Sequence, residues 1–565
     1  MKALFHGVIA EELVHPFPHT SRDERENVEQ ILAATRAFAA AHIDAAAIDR
    51  EGRIGDDVLR GLADLGLFGL AVPREHGGIG LSSLAYVRVI EELASLDASV
   101  ALTVGAHQSI GIEGLVRFGT PEQQRLYLPS LARGERIAAF ALSEAGAGSD
   151  ASALKTQATL LPGGDAFSLS GSKMWVTNGG LASLFTVFAR TSSADEGHKP
   201  RITAFLVEPG EGVEVGPNAD KLGVRGASTT QIVLRDARVP VGNVLGAVGR
   251  GFPIALEVLN AGRLGLAAGC VGAAKRLVKM ACERVQQRKA FGRAIGEFGL
   301  VKDKIASMMA STFAIESMTY LTAGLADARA DFALESAIAK IAASEALFQI
   351  ANDTLQLAAG IGYMRAHPYE RMLRDARIHG IFQGTSDILR CFVALAGMQG
   401  PARELADVGR AIREPLKSFG LLGDFAVRRA RTALGRERMS RAHPLLNREA
   451  VVFEEYTVEL AKAVDKVLRK HGNEIAEMQY TQRRVAEVAI DLFGIGACIA
   501  RTTRAIERRG VEGARREIDL TTMFVAAAER RLAAEVRSFD KNDDELRKAI
   551  AARAYVDGGY PFDAV

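Results

Sequence analysis

The sequence contains few cysteines and a single tryptophan. The four cysteines, Cys270, Cys282, Cys391 and Cys498, are far apart and form neither a CxxC pair nor a Cys/His cluster. This spacing argues against a zinc site and against a disulfide framework, and it is typical of proteins from a reducing compartment. We therefore predict no metal site and a cytoplasmic location.

Neither sign of charge dominates, since 70 Lys and Arg residues stand against 68 Asp and Glu residues and give a formal net charge of +2. Such a balance provides no overall field to attract nucleic acid, so we predict no nucleic-acid partner. Residues 1–24 hold one lysine and no long apolar run, which predicts neither a signal peptide nor a transit peptide. The sequence also lacks the run of about 18 uncharged apolar residues that indicates a membrane span.

One basic run, "RRARTALGRERMSR", departs from this balance. Its basic residues are Arg428, Arg429, Arg431, Arg436, Arg438 and Arg441. A solvated helix end or surface loop is one interpretation, and a peripheral membrane contact through the basic side chains is the other. The predicted location is therefore the cytoplasm, with peripheral membrane contact as the alternative.

Proline is missing from two long stretches, one between Pro253 and Pro368 and one between Pro444 and Pro561. Because proline is excluded from helix interiors, both stretches favour helical bundles. The first contains an apolar stripe with alternating three- and four-residue spacing, which is typical of an amphipathic helix. The stripe consists of Val271, Ala274, Val278, Ala281 and Val285.

Between about residues 150 and 245 the pattern changes to short apolar segments separated by Gly, Pro and Asp, which indicates a small β domain. The segments are "FSLSGSKMWVT", "LFTVFAR", "RITAFLVEP" and "TTQIVLRDARVP". The predicted division is a helical domain at 1–137, a β domain at 138–247, a helical-bundle domain at 248–405 and a C-terminal helical domain at 406–565.

Residues 140–153, "FALSEAGAGSDASA", combine glycines with hydroxyl side chains. Glycine lets backbone N–H groups approach a ligand closely, and Ser143 and Ser149 add side-chain hydrogen bonds. The spacing of Gly146 and Gly148 superficially matches a dinucleotide fingerprint, but no strand–turn–helix unit surrounds it, so we reject a Rossmann site. An ordinary glycine-rich turn and a ligand loop both stay open.

The only tryptophan, Trp175, lies in a predicted strand within "GSKMWVTNGG". A tryptophan in a strand usually belongs to the core, whereas beside Thr177 and Asn178 it could also stack on a planar cofactor. The glycine-rich loop and this strand, in this order and spacing, resemble the acyl-CoA dehydrogenase family. The resemblance continues through "QRKAFGRAIGEFG", "LQLAAGIGYM" and "RDARIHGIFQGTSDILR", and through "GAHQSIG" and "NGGLASLFTVFAR" it is greatest to the very-long-chain branch.

The resemblance implies a mainly α fold with a small central β domain, in which a helical domain, a β-barrel and a four-helix bundle are followed by a C-terminal helical domain. It also implies bound FAD, an acyl-CoA substrate, at least a homodimer, and electron-transfer flavoprotein as a redox partner. The implied cofactor-binding residues are Phe140, Leu142, Ser143, Gly148, Ser149, Trp175, Thr177, Arg288, Phe291, Gln356, Gly360, Thr385 and Asp387. The implied substrate-binding residues are Ser149, Arg263, Phe382, Gln383 and Gly384.

The family resemblance places a catalytic glutamate at position 383, where this chain has Gln383. A side-chain amide does not hold a proton near neutral pH, so Gln383 cannot act as the general base. Some branches place the glutamate directly before an arginine that matches Arg263, and there this chain has Gly262. Glu257 is too far along the same helix and is expected to point away. The backbone N–H at 383, which would polarise the thioester carbonyl, survives any substitution.

His379 lies one turn before Gln383, and we predict that it packs as a polar residue at a helix end. Three functional hypotheses follow. The first is an acyl-CoA dehydrogenase that is slow, has an unrecognised base or carries a deliberate Glu-to-Gln exchange. The second is a non-catalytic paralogue that binds FAD and acyl-CoA or partners an active subunit. The third is a flavoenzyme redirected to another reaction of acyl thioesters.

Overall fold

The computed structural model describes residues 1–191, 201–413 and 438–564. These residues form two compact units, one of Pro16–Ile388 and one that joins Met1–His15 to Leu389–Val565. The division into four domains stays a prediction.

The N-terminal part of the larger unit is helical, and side chains define where its helices begin. The Ser21 side chain accepts a hydrogen bond from the Glu24 N–H at the start of the first helix, and Thr120 forms a reciprocal capping box with Gln123 before the last. The helices are α1 (Arg22–His42), α2 (Ala45–Glu51), α3 (Asp56–Asp64), α4 (Ser83–Leu96), α5 (Ala98–Ala106), α6 (Glu113–Phe118) and α7 (Pro121–Ala132).

The middle of the larger unit is a mainly antiparallel sheet with the strand order β6-β7-β3-β2-β4-β5-β8, in which β1 pairs with β4 in parallel. The strands are β1 (Ile137–Ala141), β2 (Gln157–Leu160), β3 (Ala166–Thr177), β4 (Ala182–Thr191), β5 (Arg201–Val207), β6 (Val213–Val215), β7 (Thr229–Pro240) and β8 (Val244–Leu245). The four predicted strand segments correspond to β3, β4, β5 and β7, so the prediction of a small β domain is confirmed.

Long helices complete the larger unit. They are α8 (Gly251–Gln287), α9 (Gly299–Asp327), α10 (Ala333–Ala358) and α11 (Tyr369–Arg377), with a short hairpin of β9 (Lys289–Ala290) and β10 (Arg293–Ala294) after α8. Every residue of the predicted apolar stripe is buried in α8, which packs against α4, α9 and α10. Among the described residues α8 is also long and apolar enough to cross a membrane, but 72% of its most apolar window is buried, as in a core helix.

The smaller unit is helical, as predicted for the C-terminal block. Its helices are α12 (Ser386–Arg413), which begins in the larger unit, α13 (Asn447–His471), α14 (Gln479–Gly513), α15 (Arg515–Ser538) and α16 (Asp544–Asp557). Within the basic run, Arg438 pairs with Glu454, and Arg441 donates a hydrogen bond to the His15 carbonyl. Arg428, Arg429, Arg431 and Arg436 lie outside the described residues, so the membrane contact stays a prediction.

Candidate active site

The turn that holds Gln383 connects α11 to α12. A 3-10 turn covers Ile378–Gly380, and the backbone then becomes left-handed at Gln383, with φ of 56°, and at Gly384, with φ of 96°. A residue other than glycine rarely adopts this conformation, and it persists where the surrounding structure enforces it. In the described part of the chain no backbone carbonyl accepts a hydrogen bond from the Gln383 N–H. This donor is therefore available to a ligand.

Two buried cations hold the carbonyl groups of this turn. Arg263 Nε donates to the Gln383 carbonyl at 3.3 Å, and Lys340 Nζ donates to the Gly384 carbonyl at 2.8 Å. Burial lowers the pKa of Arg263 to about 10, so its guanidinium stays charged at neutral pH. The predicted substrate residues Arg263, Gln383 and Gly384 are thus brought together, and Lys340 is a member of the site that sequence reasoning missed.

The Gln383 side chain lies against α8. A Cβ atom at Gly262 would stand 3.1 Å from both Nε2 and Oε1 of Gln383 and 2.7 Å from Cγ2 of Ile110. Across the described residues Gln383 Oε1 finds no hydrogen-bond partner although it is buried. The two positions at which the resemblance places a glutamate are therefore neighbours in space, and neither carries a carboxylate.

The remaining groups considered as a base are not suited to that role. Burial, and secondarily the charge of Lys340, lowers the pKa of His379 to about 4, so the imidazole is neutral and weakly basic at neutral pH. Its ring packs against Phe382 at 5.4 Å between centroids, as expected for a polar residue packed at a helix end. Glu257 is half exposed and pairs with Arg117 at 3.5 Å.

An apolar tunnel leads from Gln383 between α8 and the segment formed by α4 and α5. The α8 wall consists mainly of small residues, Gly262, Gly265, Gly269 and Ala273, together with Leu266. The facing wall includes Ala94, Ala98, Ala101, Leu102, Gly105 and Ser109, the last of which lies in a π-helical turn after α5. Phe382 and His379 close one side. Because most of these side chains are small and apolar, the space between the two helices suits an aliphatic group.

The glycine-rich loop is fixed by a buried carboxylate that sequence reasoning missed. Glu144 accepts hydrogen bonds from Lys173 Nζ at 2.7 Å, from Thr156 Oγ at 2.6 Å and from the Lys155 N–H at 2.6 Å. Lys173 is fully buried in β3 and also donates to the Leu142 carbonyl at 3.2 Å. The loop is therefore attached to the strand that carries the tryptophan. The sequence gives little indication of this ion pair, because its two residues are 29 positions apart and form no local pattern.

Some of the predicted flavin-lining residues are packed inward, and the others are exposed on the surface. Phe140 and Leu142 pack inward, the former against Phe188 at 4.9 Å between ring centroids. The Met174 N–H donates to the Ser143 carbonyl at 2.9 Å, which joins the loop to β3 beside Trp175 and Thr177.

Trp175 is 61% exposed and has φ of 55°, so it does not belong to the core. Gly148 and Ser149 are exposed, and a Cβ at Gly148 would meet no atom within 4 Å. An exposed ring beside an open glycine loop fits a planar ligand.

The other predicted cofactor residues lie elsewhere on the larger unit. Arg288, Phe291, Gln356 and Gly360 are exposed, and the Phe291 ring is 92% exposed. In the described part of the chain no hydrogen bond, ion pair or ring contact joins these four residues to the glycine-rich loop.

Thr385 Oγ accepts a hydrogen bond from the Ile388 N–H at 3.2 Å, and Asp387 is exposed in the first turn of α12. These two residues open α12 directly after the turn at Gln383. Within the described residues no hydrogen bond or ion pair joins either of them to the four exposed residues just named.

A helical domain, a small sheet and a helical bundle, with an apolar tunnel that ends at a turn with an available backbone N–H, together have the architecture of the acyl-CoA dehydrogenase fold. Four family models match this chain. They describe the acyl-CoA dehydrogenase N-terminal domain at 25–135, middle domain at 139–237 and C-terminal domain at 249–398, and the ACAD9/ACADV C-terminal domain at 444–559. The chain belongs to the acyl-CoA dehydrogenase family.

Similar proteins support this membership over nearly the whole chain. The very long-chain specific acyl-CoA dehydrogenase of Homo sapiens is 38% identical over 89% of this chain and 78% of its own length. A probable acyl-CoA dehydrogenase of Bacillus subtilis is 31% identical over 97% of this chain and 93% of its own length. The crystal structure of an acyl-CoA dehydrogenase from Bacillus anthracis complexed with FAD matches with a TM-score of 0.81 and 28% identity, covering 99% of this chain and 96% of that one. The predicted family and fold are confirmed.

Proposed function

We propose that this chain is an FAD-dependent acyl-CoA dehydrogenase-like flavoprotein for α,β-dehydrogenation of long-chain acyl-CoA, and that Gln383 makes the reaction slow. The observation that carries this proposal is the turn at Gln383, whose available backbone N–H stands at the end of an apolar tunnel. A thioester carbonyl that accepts this hydrogen bond would be polarised, which favours loss of the neighbouring proton. The small residues along α8 in the tunnel and the similarity to very-long-chain dehydrogenases support long acyl chains.

FAD fits the residues present, because Trp175 offers an exposed ring and the loop around Gly148 leaves open space for close backbone contact. Phe140, Leu142, Ser143, Ser149 and Thr177 are the other residues that would hold it. When bound, FAD supplies the acceptor for the hydride that leaves the carbon next to the deprotonated one.

The chain's own residues bind and orient the substrate but do not remove its proton efficiently. Arg263 and Lys340 fix the carbonyl groups of the turn, so the Gln383 N–H keeps its direction. The neighbouring side chains, Gln383 and His379, are neutral and weakly basic at pH 7. Loss of a positioned base typically costs on the order of 10² to 10⁴ in rate, and we expect a deficit in this range.

A homodimer is part of the proposal. Phe291 is a large apolar ring that is 92% exposed, and the exposed Arg288 could reach a diphosphate held by a second subunit. Electron-transfer flavoprotein as the acceptor and a cytoplasmic location with peripheral membrane contact are further parts of the proposal and rest on the sequence arguments.

Two alternatives have specific support. The absence of a carboxylate at both Gln383 and Gly262 favours a non-catalytic paralogue that binds acyl-CoA and FAD, or a partner subunit in a mixed oligomer. The unpartnered Nδ1 of buried His379, within the part of the chain that the structure describes, favours a redirected acyl-thioester flavoenzyme whose substrate carries a polar group near the reacting carbons.

The test is the visible spectrum of the purified protein, anaerobic, before and after addition of palmitoyl-CoA. We expect bound FAD, a shift of the flavin spectrum on binding, and bleaching that is slow compared with the shift. A protein that is colourless and takes up no added FAD would contradict the proposal. Bound FAD with no spectral shift on addition of acyl-CoA would exclude the acyl-CoA assignment.

A further inference from the structure

The apolar tunnel borders a second cavity. This cavity of about 660 Å³ shares four of the tunnel's lining residues, Ala94, Ala98, Ala273 and His379. It continues along α8 beyond Ala273 and extends between α1, α4 and α11. An acyl chain that follows the tunnel away from Gln383 would therefore enter this cavity.

The second cavity is ionic, in contrast to the tunnel. Arg36 and Arg88 both bind Glu92, at 2.7 Å and 2.9 Å. Lys275 binds Glu91 at 2.7 Å and Glu316 at 2.5 Å. An aliphatic chain end gains little from such walls, because burial beside charged groups removes their hydration without a compensating hydrogen bond.

Two arginines in this cavity differ from its other cations because they are not paired with a carboxylate in the described part of the chain. Arg276 on α8 and Arg371 on α11 line it from different walls, and neither guanidinium makes a hydrogen bond or an ion pair within the described ranges. Arg276 is exposed and Arg371 is half-buried. Each guanidinium carries donors in a planar fork that suits a carboxylate.

Four carboxylates face Arg371, those of Asp44, Asp49, Asp97 and Asp375. Asp49 binds Arg374, and Asp44 accepts hydrogen bonds from backbone N–H groups at the start of α2. Asp97 accepts a hydrogen bond from the Val100 N–H at 2.9 Å, and Asp375 accepts one from the Val224 N–H at 2.6 Å. Burial raises the pKa of Asp97, and it raises the pKa of Asp375 to about 7, so the negative charge of Asp375 is reduced near neutral pH. Within the described ranges none of these carboxylates forms an ion pair with Arg371, so its guanidinium donors can meet an anion from the cavity.

We propose that this cavity recognises a carboxylate at the far end of the acyl group, so that long-chain dicarboxylic acyl-CoA thioesters are preferred ligands, with Arg276 and Arg371 as the carboxylate-binding residues. The inference rests on the proposed function, because it assumes that the thioester lies at Gln383.

Geometry makes the preference depend on chain length. From Gly262 to Ala273 the tunnel follows α8 for eleven residues, which is roughly 16 Å at 1.5 Å per residue. At about 1.3 Å of advance per carbon–carbon bond, this distance corresponds to roughly twelve carbons. A shorter dicarboxylic chain would leave its second carboxylate in the apolar tunnel, which is unfavourable, and only a longer one would reach the arginines.

The experiment measures dissociation constants by titration calorimetry with the FAD-loaded, full-length protein. The ligands are matched pairs of monocarboxylic and dicarboxylic thioesters: hexanoyl- and adipoyl-CoA, dodecanoyl- and dodecanedioyl-CoA, and octadecanoyl- and octadecanedioyl-CoA. We expect the short monocarboxylic ligand to bind more tightly than its partner, and the long dicarboxylic ligand to bind about tenfold more tightly than its partner.

Three variants locate the effect. Arg276→Gln and Arg371→Gln should each remove most of the preference for octadecanedioyl-CoA and leave the affinity for octadecanoyl-CoA unchanged. Arg365→Gln removes the same charge from an exposed position outside the cavity and should change neither affinity. Arg276 is exposed, so its variant keeps the proposal testable if Arg371→Gln fails to fold.

The outcomes separate this inference from the proposed function. If octadecanoyl-CoA and octadecanedioyl-CoA bind equally, or if Arg365→Gln acts as strongly as the cavity variants, the inference is wrong and the proposed function stands. If the variants weaken the binding of free CoA as much as the binding of octadecanedioyl-CoA, the arginines bind the nucleotide part of the ligand and the inference is again wrong. If no acyl-CoA binds, the proposed function itself fails.

Discussion

The glycine-rich loop and the turn at Gln383 belong to the same unit but differ in how far their buried polar groups are hydrogen-bonded. In the loop, the Glu144 carboxylate receives hydrogen bonds from Lys173, Thr156 and backbone N–H groups. At the turn, buried polar atoms of His379, Gln383 and Ser386 find no partner in the described part of the chain.

An unpartnered buried polar group costs free energy, so it persists where a ligand completes it or where function requires it. The buried carboxylate of the loop is satisfied within the chain, whereas the buried polar atoms of the turn remain for a ligand to pair, in line with the proposed function. We therefore expect changes in the loop to affect folding and changes at the turn to affect binding and turnover.

The largest expected effect is on stability and comes from the loop. Lys173→Met removes one partner of a buried ion pair and leaves Glu144 charged and buried, which typically costs 3–5 kcal/mol, so about 4 kcal/mol of unfolding free energy should be lost. Urea denaturation followed by circular dichroism measures it. Lys155→Met is the matched control, because its exposed side chain is not part of the pair, and a similar loss in both variants would contradict the comparison.

The same pair predicts how stability depends on pH. Although burial opposes ionisation, hydrogen bonds from Lys173, Thr156 and the backbone lower the pKa of Glu144 to about 2, from its usual 4.5. A lowered carboxyl pKa stabilises the fold above about pH 4.5, and this contribution is lost as the pH falls towards 2. Acid denaturation should start at a higher pH in Lys173→Met than in the unchanged protein, and coincident curves would show that the pair contributes nothing.

At the turn, the largest expected effect is on rate. Gln383→Glu restores a carboxylate in an apolar pocket, where burial raises its pKa towards a working value, and flavin reduction by acyl-CoA should accelerate by roughly 10²-fold or more. Anaerobic stopped-flow absorbance measures it. Gly262→Glu should gain less, because its Cβ would press on Ile110 at 2.7 Å.

Two results would change the interpretation of the turn. If the unchanged protein already reduces its flavin quickly, and His379→Phe abolishes this, the base has moved to the histidine. If the Gln383→Glu variant binds FAD but acyl-CoA still does not reduce it, the result supports the non-catalytic alternative.

A smaller effect is expected where the loop meets the cofactor. Trp175→Ala removes an exposed ring that we propose stacks on FAD, and the dissociation constant of FAD should rise by roughly tenfold. Arg288→Ala should act in the same direction if a second subunit completes the site. Equilibrium dialysis measures both, with Trp175→Tyr as the control that keeps an aromatic face. Unchanged FAD affinity in Trp175→Ala would remove the ring from the site.

The smallest expected effect is a gain in stability at the turn. His379→Phe removes an unpartnered buried nitrogen and should stabilise the fold by about 1 kcal/mol. Because the histidine pKa is lowered to about 4, the unfolded chain takes up a proton that the folded chain refuses as the pH falls below 6.5. The gain should therefore grow between pH 6.5 and 4, and a gain independent of pH would show that His379 is accessible to protons in the folded state.

Local patterns predicted much of the fold. The segment "TTQIVLRDARVP" has the same bounds as β7, because alternation between buried and exposed positions follows from the two faces of a strand. The apolar stripe of α8 is likewise buried throughout, since three- and four-residue spacing places those residues on one face of a helix.

The sequence by itself determined the chemistry available at the site, and above all the absence of a carboxylate at Gln383 and Gly262, because side-chain identity needs no coordinates. Only the tertiary structure decided which groups meet. It placed Lys173 against Glu144, Lys340 against the Gly384 carbonyl, and an ionic cavity beyond an apolar tunnel. These contacts join residues far apart in the chain. Pairing in the sheet places β3 beside the loop after β1, packing places α10 beside the turn at Gln383, and α4, α8 and α11 surround the cavity, so tertiary packing rather than any local pattern brings these groups together.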